Sequence, residues 1–338
     1  MLYLTTRSSR DAYTAQRALR ESRGPDGGMY LPFRGPSFAP EDWKKLSAMP
    51  FGQRVAEILN RLFQMRLTCW DVDVCIGRNP VNIESLGHRT LVAELWHNPG
   101  QSYDYLAREL AEQLLNESSC QSGWLSIALR IAMLFGIYGQ LPGDSSEPVD
   151  ISVISGDFAA PISAFYARAW GLPIGNIVCC CNENSGLWEL LRHGQLRTDT
   201  ASVPTILPEA DVAVPENLER LVYEAGGTDE VERYLASCRR GGTYAPTDPV
   251  LANLGRDFRV SVVSSSRIGQ TISSVYRTHN YVLSPGAALS YAGLMDARAK
   301  PGLHKTALIL AEKSPALDAK FTAASLKITE PELDGLLY

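Results

Sequence analysis

Amines are confined to the two ends of this 338-residue sequence: no lysine falls between Lys45 and Lys300. Chemistry in which a lysine condenses with a carbonyl has no amine to use across the middle of the chain. Cysteine occurs at positions 69, 75, 120, 179, 180, 181 and 238, but no C-x-x-C pair is present, so no metal site is expected. Cys179, Cys180 and Cys181 continue the apolar run from Ile177 and Val178. They read as small hydrophobes in a buried strand, with Cys180 on the opposite face from its neighbours. Asp157, in the turn Ser155-Gly156-Asp157, stands where a carboxylate caps a following helix. Asp104 opens a helical stretch, where a negative charge complements the free N–H groups. His97, between Trp96 and Asn98, reads as a packed or loop histidine.

The elements that hold these residues alternate between strand and helix. Residues 151–154 and 177–181 read as strands, with a helix over 162–170 that Gly171-Leu172-Pro173 ends. A further helix starts at 187–191; strands follow at 258–263 and 306–310, with a helix over 287–294 between them. Strands separated by helices imply an α/β fold with a parallel or mixed sheet. Val55, Ile58, Leu59 and Leu62 predict a helix over 51–63, and Leu106, Leu110 and Leu114 predict one over 103–116. Gly24-Pro25-Asp26-Gly27-Gly28 is turn chemistry ahead of the apolar run Met29-Tyr30-Leu31.

With 45% hydrophobic residues the chain can bury a large core in one or two domains. A net charge of −5 without a basic run argues against nucleic-acid and anionic-membrane partners. The most apolar stretch, 124–141, contains Arg130. A central arginine costs about 2.5–3.5 kcal/mol on membrane-insertion scales, so a buried core helix is expected instead. No secretory h-region follows Met1, and the odd, scattered thiols suit a reducing compartment, so a cytoplasmic location is expected.

Several segments, in order, resemble the threonine synthase family. Tyr3-Leu4-Thr5-Thr6-Arg7 is similar to its Y-x-S-T-R, and Pro25-Asp26-Gly27-Gly28-Met29-Tyr30-Leu31-Pro32 to its P-D-G-G-L-Y-x-P. Ser152-Val153-Ile154-Ser155-Gly156-Asp157-Phe158-Ala159 resembles V-S-V-P-S-G-N-F-G. Gly171-Leu172-Pro173-Ile174, Asn182-Glu183-Asn184 and Pro215-Glu216-Asn217-Leu218-Glu219-Arg220 resemble G-L-P-I, N-x-N and P-S-N-F-E-R. The resemblance implies a fold type II pyridoxal phosphate (PLP) architecture, like the tryptophan synthase β chain. It also implies a carbon–oxygen lyase that turns O-phosphohomoserine into threonine and phosphate. The cofactor-binding region it implies is Ser155, Gly156, Asp157, Phe158, Ala159, Asn182 and Asn184.

The departures fall on the chemistry. Glu94-Leu95-Trp96-His97-Asn98-Pro99-Gly100-Gln101-Ser102-Tyr103-Asp104-Tyr105 matches E-L-F-H-G-P-T-L-A-F-K-D-F, and puts Asp104 where the family has its Schiff-base lysine. Asp157 and Ala159 replace the asparagine and final glycine of the phosphate loop G-N-F-G. Glu312, in Leu310-Ala311-Glu312-Lys313-Ser314-Pro315, replaces the threonine that faces the pyridine nitrogen. After about residue 117 the family's mobile subdomain, with its S-G-D-T-G loop, is expected to be largely missing. The expected regions are an N-terminal threonine synthase-like part, 1–102, and an α/β core, 103–338, carrying the remnant cleft.

No bound cofactor is expected, although the resemblance implies PLP. Three functions stay open: a non-catalytic scaffold or regulatory partner, an active lyase on a phosphorylated amino acid, and an amino-acid or phosphate-ester binding module. His97, Asp104, Asp157 and Glu312 are the acid–base groups near the old site. A second copy of the chain or another protein is expected over the face the lost subdomain exposed.

Overall fold

The computed structural model describes residues 1–87, 89–97, 100–116, 123–303 and 306–337. The chain opens with a small antiparallel sheet of β1 (Leu2–Thr5), β2 (Ser8–Thr14) and β3 (Tyr30–Pro32), with β1 in the middle. The central sheet is built from β4 (Asn82–Ser85), β5 (Thr90–Glu94), β6 (Val149–Ile154) and β7 (Ile174–Cys181). A two-stranded ribbon, β8 (Leu196–Arg197) with β9 (Thr243–Tyr244), intervenes before β10 (Phe258–Val262) and β11 (Ala307–Ala311) complete it. The strand order is β10-β7-β6-β11-β5-β4, parallel throughout except for β4 against β5. This is the α/β architecture with a mostly parallel sheet that the alternation predicts.

Helices cover both faces, which is why the inner strands read as nearly continuous apolar runs. Cys179 and Cys181 join the cluster beneath the Gly123–Tyr138 and Ala159–Ala169 helices, while Cys180 joins the one beneath Ser265–His279 and Pro285–Arg298. The thiols alternate as a strand requires. Burial pushes Cys180 up to about 12 and Cys181 up to about 11, so both stay protonated and inert at neutral pH.

The apolar stretch at 124–141 is a buried core helix, Gly123–Tyr138. Among the described residues no helix is long and apolar enough to cross a membrane. Phe51–Phe63 is helical as its spacing predicts. The 103–116 stretch differs in part: Tyr103–Glu109 is α-helical, then Leu110–Leu114 widens into π-helical turns with Leu110 and Ala111 fully buried. Residues 117–122, where the subdomain loss is expected, lie outside the described residues.

The N-terminal sheet is tied to the core by polar contacts. Tyr3 Oη donates to Leu62 O at 2.8 Å, and Trp124 Nε1 donates to Tyr3 Oη at 3.2 Å. The buried Glu219 carboxylate accepts from Thr6 and takes two bonds from Arg7, at 3.1 and 3.0 Å. Such a pair, fixed by several hydrogen bonds, locks the orientation of the two parts.

Candidate functional site

The carboxyl ends of β6 and β11 open into a cavity of about 380 Å³. Crevices at the carboxyl edge of a parallel sheet are where such folds bind ligands. One wall is the turn after β6. Gly156 sits there at φ +41, and a Cβ on it would lie 2.7 Å from the Glu209 carbonyl oxygen, so two backbones meet where only glycine fits. Phe158 takes a left-handed φ of +69 despite its side chain. The conformation costs about 1–2 kcal/mol. It is held by the buried ring, 5.3 Å from Phe258, and by the Phe158 N–H donating to Ser155 O at 2.7 Å.

The facing wall comes from Tyr103, Asp104 and Ala107 on the Tyr103–Glu109 helix, Ser126 and Arg130 on Gly123–Tyr138, and Glu312 just past β11. The segments 101–103 and 312–314 run side by side: the Tyr103 N–H donates to Glu312 O at 2.6 Å, and the Ser314 N–H to Gln101 O at 2.9 Å. Pro208, Glu209 and Val212 close the floor.

Four carboxylates line this space, Asp104, Asp157, Glu209 and Glu312, against one guanidinium, Arg130. Arg130 donates from Nη1 to Glu312 and lies 4.2 Å over the Tyr103 ring. Burial pulls its pKa down, but Glu312, Tyr103 and Asp157 outweigh that and hold it above the ordinary arginine value. Glu209 pairs with Lys313 at 3.1 Å. Asp157 Oδ1 accepts the Ala159 N–H at 2.9 Å, and Oδ2 accepts from Asn217 Nδ2 at 3.2 Å. Asp157 thus satisfies the first free N–H of the helix from the residue before its N-cap, Phe158, rather than as the N-cap that its position in the turn predicts.

Of the residues singled out in the sequence, the fold gathers Asp104, Ser155, Gly156, Asp157, Ala159 and Glu312 around one cavity. Phe158 belongs to the packing behind the turn. Asn182 and Asn184 bind Asp211 Oδ1, at 2.6 and 3.1 Å, and so brace the 203–211 loop without lining the cavity. His97 lies apart: half exposed, stacked 4.0 Å from Trp96, with Nε2 2.5 Å from the buried Glu94 carboxylate. Sequence reasoning passed over Arg130, Tyr103 and Glu209 as site residues; Ser126, where the resemblance puts the arginine of the family's N-x-x-R, does line the cavity. Arg130 left a signal, because a lone charge in an apolar core helix needs a partner and a polar space to face.

The lining does not fit PLP. Its phosphate needs backbone N–H groups at the head of the Ala159–Ala169 helix. The Ala159 N–H already bonds the Asp157 carboxylate and the Phe158 N–H bonds Ser155 O. The excess of carboxylates opposes a second anion. No lysine is among the lining residues; Lys313, the amine at the rim, is held by Glu209.

The family model for the threonine synthase N terminus matches residues 2–78. Threonine synthase from Saccharomyces cerevisiae is 25% identical over 182 residues, covering 49% of this chain and 35% of that protein. The Pseudomonas aeruginosa enzyme is 27% identical, covering 52% and 37%. Human threonine synthase-like 1 is 27% identical over 151 residues, covering 43% and 20%. The matched part thus spans little more than a third, at most, of these relatives' length. PLP-bound threonine synthase from Brucella melitensis superposes with a TM-score of 0.84 at 18% identity, over 97% of this chain and 92% of that one. The yeast threonine synthase structure gives 0.84 at 18% identity, over 99% and 93%.

Proposed function

Starting from a chain that carries the threonine synthase N-terminal domain on the threonine synthase fold, we propose a threonine synthase-like protein that has left PLP catalysis and serves as a non-catalytic scaffold or regulatory partner. The observation that carries the proposal is the cavity's inverted charge. Asp104, in the position the resemblance gives to the Schiff-base lysine, shares one space with Asp157, Glu209 and Glu312. A carboxylate cannot condense with an aldehyde, and the capped loop turns a phosphate away. The remaining residues do structural work: Asp157 satisfies the first free N–H of a helix, Asn182 and Asn184 brace a loop, and Glu312 neutralises Arg130.

A partner surface is compatible with Trp70 and Val74, exposed one turn apart on the Cys69–Ile76 helix. Residue 102 is the proposed limit of the N-terminal region, and loss of the mobile subdomain after about 117 completes the proposal. A cytoplasmic setting suits free thiols. The functional test is phosphate release from O-phosphohomoserine with added PLP. The expected result is no release above the protein-free blank; turnover would return the chain to the lyases. Light scattering over a range of concentrations tests the scaffold role, and a strict monomer with no co-purifying protein counts against it.

A further inference from the structure

We infer that the Cys69–Ile76 helix docks on the same helix of a second copy, so that the chain pairs with itself about a two-fold axis beside Trp70 and Val74. The inference rests on the scaffold proposal and names its partner. One face of this helix is shut away in the core, with Val72 and Ile76 fully buried. The opposite face presents Trp70, 67% exposed, and Val74, 59% exposed, one turn apart. The Trp70 indole N–H has no partner among the described residues. The platform beneath them is rigid. Thr68 and Asp71 cap the helix reciprocally. A Cβ on Gly52 would lie 2.3 Å from Asp73 Oδ1, so the helix packs directly on Phe51–Phe63. A preformed surface loses little freedom on docking, and tryptophan is over-represented among the side chains that dominate interfaces.

The charges around the patch select its occupant. Arg66 precedes the helix and Arg78 follows it, both exposed, and Arg78 reaches Asp73 only at 4.0 Å. Glu109 and Glu112 lie on the adjoining turns, at the end of Tyr103–Glu109 and within Leu110–Leu114, which pack against this helix. Arg66 and Glu112 have no ion partner among the described residues. A strongly acidic or strongly basic partner would find half of this rim repulsive. A second copy, turned by a two-fold, sets the arginines of each chain against the glutamates of the other. The contact is one short helix with its flanks, at or below the low end of specific interfaces. The dimer is therefore weak, with a dissociation constant of about 1–100 μM.

The experiment is sedimentation velocity of the full chain from about 1 to about 300 μM, a range that brackets the expected constant. The inference expects the average mass to rise from monomer toward dimer. Trp70→Ser should weaken pairing about thirtyfold or more, as loss of a central aromatic does. Val74→Asp, which sets two like charges near the axis, is the second variant and should do the same. Both positions are exposed, and an unchanged melt in dilute solution confirms folding. The charge arrangement has its own readout. One variant carries Arg66→Glu with Arg78→Glu, and another carries Glu109→Lys with Glu112→Lys. Each alone should pair at least about tenfold more weakly than wild type, and the equimolar mixture should recover dimer, because the two-fold then sets opposite charges together on both sides. A monomer at every concentration overturns the inference, as does a dimer indifferent to Trp70→Ser and Val74→Asp, or a mixture that pairs no better than its components. Phosphate release from O-phosphohomoserine would instead remove the non-catalytic proposal beneath it. A monomer without that activity that co-purifies with a different protein fails the inference alone.

Discussion

Removing Glu312 should expose how far the cavity depends on its central ion pair. Glu312→Ala takes away the carboxylate that answers Arg130, whose guanidinium stays in place over Tyr103. Breaking a fully buried pair costs about 3–5 kcal/mol, and an exposed pair contributes about 0–1 kcal/mol. The side chains here are 16% and 25% exposed, so the case falls between these limits. We expect about 2 kcal/mol. For a chain of this size that lowers the melting temperature by about 3 °C. Glu312→Gln keeps an acceptor without the charge and should recover about half, because charge-assisted bonds are roughly twice as strong as neutral ones. Urea unfolding of both variants, alone and with Arg130→Met, gives the pair's coupling. A loss under about 0.5 kcal/mol for Glu312→Ala would mean that solvent or another group already satisfies Arg130, and the electrostatic account of the cavity would fail.

Two further outcomes follow from backbone and pKa. Gly171 sits at φ +108 with the Phe38 carbonyl oxygen 2.1 Å from where a Cβ would lie, so Gly171→Ala should cost at least about 2 kcal/mol in denaturant unfolding; an unchanged midpoint would show that the strap can move aside. Glu224 is exposed overall, but local desolvation of its carboxyl beside Tyr166 raises it above the ordinary 4.5, against the hydrogen bond from Tyr166 at 3.0 Å. Its folded-state value exceeds the unfolded one, so its stabilising contribution is complete below 4.5 and is lost as pH rises through the raised value. Glu224→Gln, which keeps an acceptor for Tyr166, should therefore melt higher than wild type at pH 7 and converge with it below pH 4.5; parallel curves at all pH would contradict that.

Local pattern carried much of the fold. Val55, Ile58, Leu59 and Leu62 share one buried helix face, and the three consecutive cysteines alternate between two cores, because both signals depend only on neighbours along the chain. The N-terminal sheet was less legible. Its strands are short, and Tyr3 pairs with both Tyr13 and Pro32 across turns whose closure no local periodicity reports. The Leu218–Arg240 helix, interrupted at Gly227 with φ 71, was hidden by a weak apolar pattern. At the cavity, turn residues such as Gly156 and Asp157 could be placed because they follow a strand. Arg130 and Glu312 lie 182 residues apart, and the fold alone makes them partners.

The most direct test of a threonine synthase scaffold without PLP chemistry is cofactor capture. Purified full-length chain is incubated with excess PLP, reduced with borohydride, passed through gel filtration and weighed intact. The account predicts that the cofactor washes away, with an unchanged mass and no residual absorbance above the protein band. A stoichiometric pyridoxyl adduct on one lysine, Lys313 at the rim being the first to inspect, would contradict it and return the chain to the PLP enzymes.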